Sequence, residues 1–163
     1  MTADEVIALL DLVPHPEGGH YREVFRASAA VSSAFHDGLR VASTAIYFLL
    51  KSGELSRLHR VRSDEVWHYY GGDSVLIDCL DEGGHTALRL GSGLERGERP
   101  LAVVPARTYQ AARSIPGAYG YALCGCTVAP GFEFEDFEMP SASELLKRLP
   151  QHAELIALLA RSS

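Results

Sequence analysis

Cysteine is scarce, positive charge is in deficit, and no apolar stretch is long. The three cysteines, Cys79, Cys124 and Cys126, are odd in number, and a Cys-Gly-Cys spacing fits neither a zinc ribbon nor a disulfide framework. On a strand Cys124 and Cys126 share a face, and all three read as small apolar fillers in a reducing compartment. Lys and Arg total 15 against 21 Asp and Glu, a formal charge of −6. The densest basic run, Arg57, Arg60 and Arg62, is interrupted by Leu58, His59 and Val61, so a phosphate-binding nucleic-acid surface is not expected. No apolar run approaches the ~20 residues of a membrane span. The N-terminal residues Thr2-Ala3-Asp4-Glu5 are acidic where a signal peptide is basic. These absences predict a cytoplasmic protein with neither nucleic acid nor membrane as partner.

Apolar residues make up 47% of the 163, which excludes a disordered chain and supplies enough for one core. Fifteen glycines and eight prolines favour turns over long helices. No linker or composition shift divides the chain, so residues 1–163 are expected to form one domain. Thr2 with Glu5 makes a capping-box pattern, and Val6, Leu9, Leu10 and Val13 recur at helical spacing, which predicts a helix over 3–12. Ser141 with Glu144 repeats the signal for a helix through Arg148, and residues 151–160 carry a further helical face. Between these ends the signal is short strands: 21–26, 41–50, 55–61, 65–70, 74–80, 85–90, 101–104, 108–113, 119–128 and 132–138. Glycine-bearing turns separate several of them, which predicts an all-β sandwich or barrel with helical ends.

The chemistry-bearing residues concentrate between Gly53 and Gly72. Strand periodicity puts Arg57, His59 and Val61 on one face, and Glu65, Trp67 and Tyr69 on another. If the two strands pair, His59 and Glu65 converge inside a small barrel walled by aromatics, where small-molecule sites are common. His68 alternates to the opposite face. The bland readings are a hydrogen-bonded structural histidine, aromatic side chains that are simply core, and a solvated turn at His15, Glu17 and His20. Phe132 and Phe134 read as packing one face of a strand.

The spacing Gly53-x5-His59-x-Val61-x3-Glu65-x6-Gly72 resembles the first motif of the cupin superfamily, with Val61 where a second histidine would stand. Pro105, Arg107, Gln110 and Ser114 match the second cupin motif poorly, Gln110 falling at its histidine. The segments Pro14-His15-Pro16-Glu17-Gly18-Gly19-His20-Tyr21, Ser63-Asp64-Glu65-Val66-Trp67-His68 and Val128-Ala129-Pro130-Gly131-Phe132-Glu133-Phe134 resemble one subgroup, cupin family 5. That is a domain of unknown function often labelled a predicted sugar epimerase. The resemblance implies a double-stranded β-helix, or cupin jelly roll, with a short N-terminal helix and C-terminal helices, and a homodimer. It also implies that the 15–20 loop helps to frame a cavity or a dimer contact.

Carried over residue by residue, the resemblance leaves His59, Glu65 and Gln110 as the only metal ligands, since Val61 has no electron pair to donate. A tightly bound metal cofactor is therefore not expected, only a weakly held divalent ion at most. Metal-free cupin-fold epimerases pair a histidine base with a phenol, so the expectation is His59 as base, Glu65 as its orienting partner and Tyr121 as the phenol, ahead of Tyr47 and Tyr109. Arg57 would hold an anionic group, and Tyr47, Trp67 and Gln110 would contact substrate. The resulting reading is an acid–base enzyme acting on a keto sugar, a sugar nucleotide or another small polar metabolite. The alternatives are a non-catalytic small-ligand module and a weakly metal-dependent oxygenase or isomerase.

Overall fold

The computed structural model describes residues 1–160. Helix α1 (Ala3–Leu9) opens on the Thr2–Glu5 capping box and leads to β1 (Val13–Pro14) and β2 (His20–Arg26). A small hairpin follows, β3 (Ala30–Ser32) and β4 (Leu39–Val41), which the sequence did not signal. Then come β5 (Thr44–Lys51), β6 (Leu55–His59), β7 (Asp64–Gly72), β8 (Val75–Asp81) and β9 (Gly84–Leu90). The β series closes with β10 (Leu101–Val104), β11 (Tyr109–Ser114) and β12 (Tyr121–Ala129). Helices α2 (Ala142–Arg148) and α3 (Ala153–Leu159) finish the described chain, separated by a 3-10 turn at Pro150–His152. Ser141 caps α2 through its box with Glu144.

Two antiparallel sheets face each other, ordered β1-β2-β5-β12-β7-β10 and β6-β11-β8-β9. Period-2 alternation sorts their side chains. Phe48, Leu50, Trp67, Ala122, Cys124 and Cys126 of the larger sheet meet Val75, Ile77, Cys79 and Ala112 of the smaller one in the central core. The outer face of the larger sheet, with Leu49 and Tyr121, lies under Val6 and Leu12 of the N-terminal segment. The outer face of the smaller sheet, with Leu58, Leu80, Tyr109 and Ala111, is covered by Leu145, Leu149, Ile156 and Leu159 of the C-terminal helices. This is the double-stranded β-helix with helical ends. No helix among the described residues is long and apolar enough to cross a membrane.

Two local departures from regular strands build the site. In β6, Gln110 opposes His59 and Ala112 opposes Ser56, so three residue steps on β6 face two on β11. This bulge puts Ser56 and His59 inward, leaves Arg57 exposed, and sends Leu58 out to the C-terminal helices. The second departure is the 132–138 segment, expected to be a strand. It forms instead a 3-10 turn, Phe134–Asp136, with one isolated bridge, Arg60–Glu138, just beyond β6 and the Phe137 ring stacked on His59. Asp136 is buried inside the turn and takes a two-point contact from the Arg40 guanidinium (Nε–Oδ2 2.7 Å, Nη2–Oδ1 3.0 Å). A strand would send Phe134 and Phe137 to opposite sides. The turn brings Phe132, Phe134 and Phe137 together at one cavity.

Candidate active site

That cavity holds about 290 Å³ at one end of the barrel. His59 of β6, Glu65 of β7, Cys126 of β12 and Phe48 of β5 form part of its wall, together with His15 and Glu17 from the loop before β2. The loop reaches this place because Gly18 takes φ +113, and a Cβ there would sit 2.1 Å from the Leu55 carbonyl oxygen. Only glycine lets the backbone press so closely on β6. The Arg57 amide then donates to the Glu17 carbonyl at 2.8 Å, which docks the loop on the bulge.

Glu17 is the most perturbed carboxyl of the site. It is 6% exposed, accepts a hydrogen bond from the Ser56 hydroxyl at 2.9 Å, and lies 3.2 Å from His59 Nε2. Burial pushes its pKa up to about 8, against the smaller opposing pull of the Ser56 hydrogen bond. His59 is 3% exposed, and burial lowers its pKa, partly countered by Glu65 and by the contact to the Arg57 backbone. Its Nδ1 lies 2.7 Å from the Arg57 carbonyl oxygen, which can only accept, so Nδ1 carries the proton. Nε2 of the neutral ring is then an acceptor, and a protonated Glu17 is the donor that faces it. The two groups share one proton rather than forming an ion pair.

His15 completes this end. The Glu17 amide donates to His15 Nδ1 at 3.2 Å, which requires a lone pair there. Burial lowers the His15 pKa to about 4. The ring is neutral, so its 3.5 Å approach to Glu17 Oε2 is a contact without charge attraction.

Glu65 faces the cavity and is 7% exposed. Burial raises its pKa, with Glu17 adding to the rise and His59 opposing it. The Gln110 amide nitrogen donates to Glu65 Oε2, and the Cys126 thiol also bonds the carboxylate. Gln110 is oriented in turn, because Trp67 Nε1, which can only donate, sends its hydrogen bond to Gln110 Oε1 at 2.9 Å. Burial raises the pKa values of all three thiols, most of all Cys126, so they are packing and hydrogen-bonding groups rather than nucleophiles.

The structure brings together some of the expected residues and separates others. His59 and Glu65 line one cavity. Trp67 and Gln110 point into the same interior but lie outside the cavity lining, where they brace Glu65. Tyr121 and Tyr47 do not reach the cavity. Ala122, Cys124 and Cys126 face inward on β12, so alternation turns Tyr121 outward against Val6 and Leu12. Tyr47 is the outward neighbour of Phe48 on β5, with its ring 6.1 Å edge-on from Tyr70. Arg57 is exposed by the bulge and offers the site only its backbone. The sequence offered Glu17 as part of a solvated turn or, through the family resemblance, of a loop framing the cavity, where His15 and Glu17 indeed lie, but gave it no chemical role, and it left out Tyr21 and Phe137. Glu17 sits between two prolines and two glycines, which looks like a solvated turn. Its recoverable signal is a carboxylate beside glycines able to approach another strand.

A resident metal does not fit this donor set. Val61 lines the cavity without a lone pair, and both ends of the Gln110 amide are engaged by Trp67 and Glu65. His59 spends Nδ1 on a backbone carbonyl and faces Glu17 with Nε2. Among the described residues no three His, Cys, Asp or Glu side chains are grouped to hold an ion.

Comparison with known proteins places this architecture. An uncharacterized protein of Saccharomyces cerevisiae is 27% identical over 164 residues, covering 91% of this chain and 81% of its own. A hypothetical protein from Leishmania major superposes with a TM-score of 0.93 at 35% identity, over 99% of this chain and 100% of its own. A crystal structure of a Shewanella oneidensis protein gives 0.89 at 37% identity, over 100% and 99%. Oxalate decarboxylase of Bacillus subtilis gives 0.56 at 16% identity, over 92% of this chain and 37% of that one, a likeness of fold alone. The family model described as Cupin superfamily (DUF985) matches residues 4–140, and the chain belongs to that family.

Proposed function

We propose that the cavity moves a proton at a carbon beside a carbonyl, as an epimerase or isomerase of a small metabolite does, without drawing on a resident metal. The observation that carries this reading is the buried His59–Glu17 pair sharing one proton, in a cavity whose other buried carboxyl group, Glu65, also has its pKa raised by burial. Groups held near neutrality by opposed environments are suited to acid–base work. Glu65, its oxygens fixed by Gln110 and Cys126, takes the C–H proton, and the electron pair of that bond moves into the enolate. The Glu17–His59 pair gives its proton to the carbonyl oxygen. Reversal returns the proton from Glu65 to the same carbon. When the enolate carries a neighbouring hydroxyl, Glu65 can return it instead to the former carbonyl carbon, with the Glu17–His59 pair taking back a proton from that hydroxyl, which isomerises the compound. This gives the base role to Glu65, where the sequence suggested His59 as base and Glu65 as its orienting partner, and leaves Tyr121, expected to return the proton, without a part.

The volume limits the substrate. About 290 Å³ lies at the small end of the ~300–1,000 Å³ common for small-molecule pockets. A keto sugar or similar carbonyl compound fits inside, whereas a nucleotide carrier would have to remain outside. We extend the proposal to a cytoplasmic homodimer with one domain per chain.

Incubating the protein in deuterated water with a panel of small keto sugars and hydroxyketones tests the reading. Solvent deuterium is expected at the carbon beside the carbonyl, and Glu65→Gln and His59→Ala should each slow its entry by at least about a hundredfold. The rate should fall as pH rises through about 8, where the Glu17–His59 pair loses its proton. A panel without exchange, or exchange untouched by both substitutions, would overturn it.

A further inference from the structure

Three phenylalanines after β12 are set like the walls of a corner. The planes of Phe132 and Phe134 meet at 82°, those of Phe134 and Phe137 at 76°, and those of Phe132 and Phe137 at 69°. Their centroids are 5.0, 6.1 and 6.1 Å apart. The corner is braced from behind: Asp136 is clamped by Arg40, the Phe132 amide donates to Thr44 Oγ1 at 2.9 Å, and the Phe132 carbonyl accepts from Arg26. Phe134 is 52% exposed although it lines the cavity, so much of its ring surface is left uncovered.

The charges around this corner are unbalanced. Glu17 and Glu65 line the cavity, and so do Glu23 and Glu133, which are more accessible. The single guanidinium among the lining residues, Arg26, is already bound to Glu23 (2.9 Å) and Glu133 (2.6 Å). An anionic ligand would meet four carboxyl groups and no free cation. A neutral ligand would leave Glu23 and Glu133, two carboxylates sharing the one Arg26 guanidinium, a positive charge short. His15 stacks on Phe134 and His59 on Phe137, each from one side. A diffuse cation would meet the ring faces left open and supply the missing counter-charge, and its alkyl groups make desolvation less costly than for a bare ammonium.

We propose that the phenylalanine corner and the carboxylates beside it bind an alkylammonium group carried by the small molecule that enters the cavity. This deepens the proton-transfer reading by naming a substrate class, a carbonyl compound bearing a quaternary or protonated amine. It rests on that reading only for the location of the site.

Three probes of one shape and different charge decide it: choline, its neutral carbon isostere dimethylbutanol, and the anion dimethylbutanoate, each titrated calorimetrically into the whole protein. Choline is expected to bind at least about tenfold more tightly than the alcohol, and the anion not to bind. Phe134→Leu should lower choline affinity about fivefold or more and leave the alcohol within about twofold, with Phe134→Tyr retaining choline. As Phe134 is half-exposed, its replacement leaves the core intact. Equal or tighter binding of the alcohol or the anion, or no binding of any probe, overturns the proposal. Choline has no acidic C–H beside a carbonyl, so this outcome is independent of catalysis. Loss of the charge preference with deuterium exchange intact sinks only this inference, and the reverse pattern sinks only the proton-transfer reading.

Discussion

Glu17 and Asp136 are acidic residues of similar exposure, 6% and 5%, each in a non-strand segment beside the cavity and each near a histidine. Their ionisation runs in opposite directions. Asp136 meets the Arg40 guanidinium at two points and Arg62 at 3.7 Å, and the hydrogen bonds and charge of Arg40 hold its pKa below the usual range. Glu17 meets a hydroxyl and an imidazole, and burial wins, lifting it to about 8. One protein thus makes a permanent anion and a proton carrier from the same functional group. The differences are the guanidinium delivered to Asp136 and the deeper burial of Glu17. The permanent anion holds the aromatic turn in place, while the proton carrier faces the chemistry.

The strongest way to break this comparison is to remove each carboxyl in turn. Asp136→Ala deprives buried Arg40 of its two-point partner and frees the turn that carries the phenylalanines. The expected cost is roughly 10 °C in melting temperature, because a buried charge is left with only the exposed Glu135 to meet it. Glu17→Gln keeps volume and hydrogen-bonding capacity where the native group is already neutral, so at neutral pH it should shift the melting temperature far less. Equal losses in thermal unfolding would show that Glu17 is as much an anchor as Asp136.

A smaller effect sharpens the contrast through pH. The Glu17 pKa is raised from 4.5 to about 8, so its stabilisation is complete below 4.5 and is lost as pH climbs towards 8. His15, lowered from 6.5 to about 4, works the other way and adds stability as pH rises from 4 to 6.5. Below 6.5 the two slopes oppose each other. Above it the Glu17 decline is left, and the raised Glu65 pKa carries the same sign where that group titrates. Over the remaining stretch to about 8 the loss should be about 2 kcal/mol, read as a fall in the urea midpoint between pH 6.5 and 8. Glu17→Gln should flatten most of that slope, and an unchanged slope in the variant would mean that Glu17 is ionised throughout.

The fold was largely legible because its signals are local. Both capping boxes form, and most expected strands fall within two or three residues of their observed bounds. The site was half legible. His59 and Glu65 follow from motif spacing, and the inward set Ala122, Cys124 and Cys126 was enough to turn Tyr121 outward, had the expected pairing of Cys124 and Cys126 been carried through the strand. Two features had no local signature. The alternation Phe132-Glu133-Phe134 reads as a strand, and contacts distant in sequence, Arg40–Asp136 across 96 residues with those from Thr44 and Arg26, fold it into a turn. Glu17 becomes a proton carrier only because Gly18 lets its loop press on β6, a close approach that composition does not record.

Arg57 gives the smallest expected effect and the finest test of that last point. Periodicity placed its guanidinium beside His59, whereas the bulge turns the side chain to solvent and keeps only the backbone in the site. Its amide donates to the Glu17 carbonyl and its carbonyl accepts from His59 Nδ1. Arg57→Ala preserves both contacts, so stability should move by less than about 0.5 kcal/mol and deuterium exchange should be unchanged. Arg57→Pro deletes the amide proton that docks the loop, so Glu17 should lose its place beside His59 and exchange should fall with it. If Arg57→Ala alone impaired exchange, the guanidinium rather than the backbone would be the contributing group, and the bulge would have to open when substrate enters.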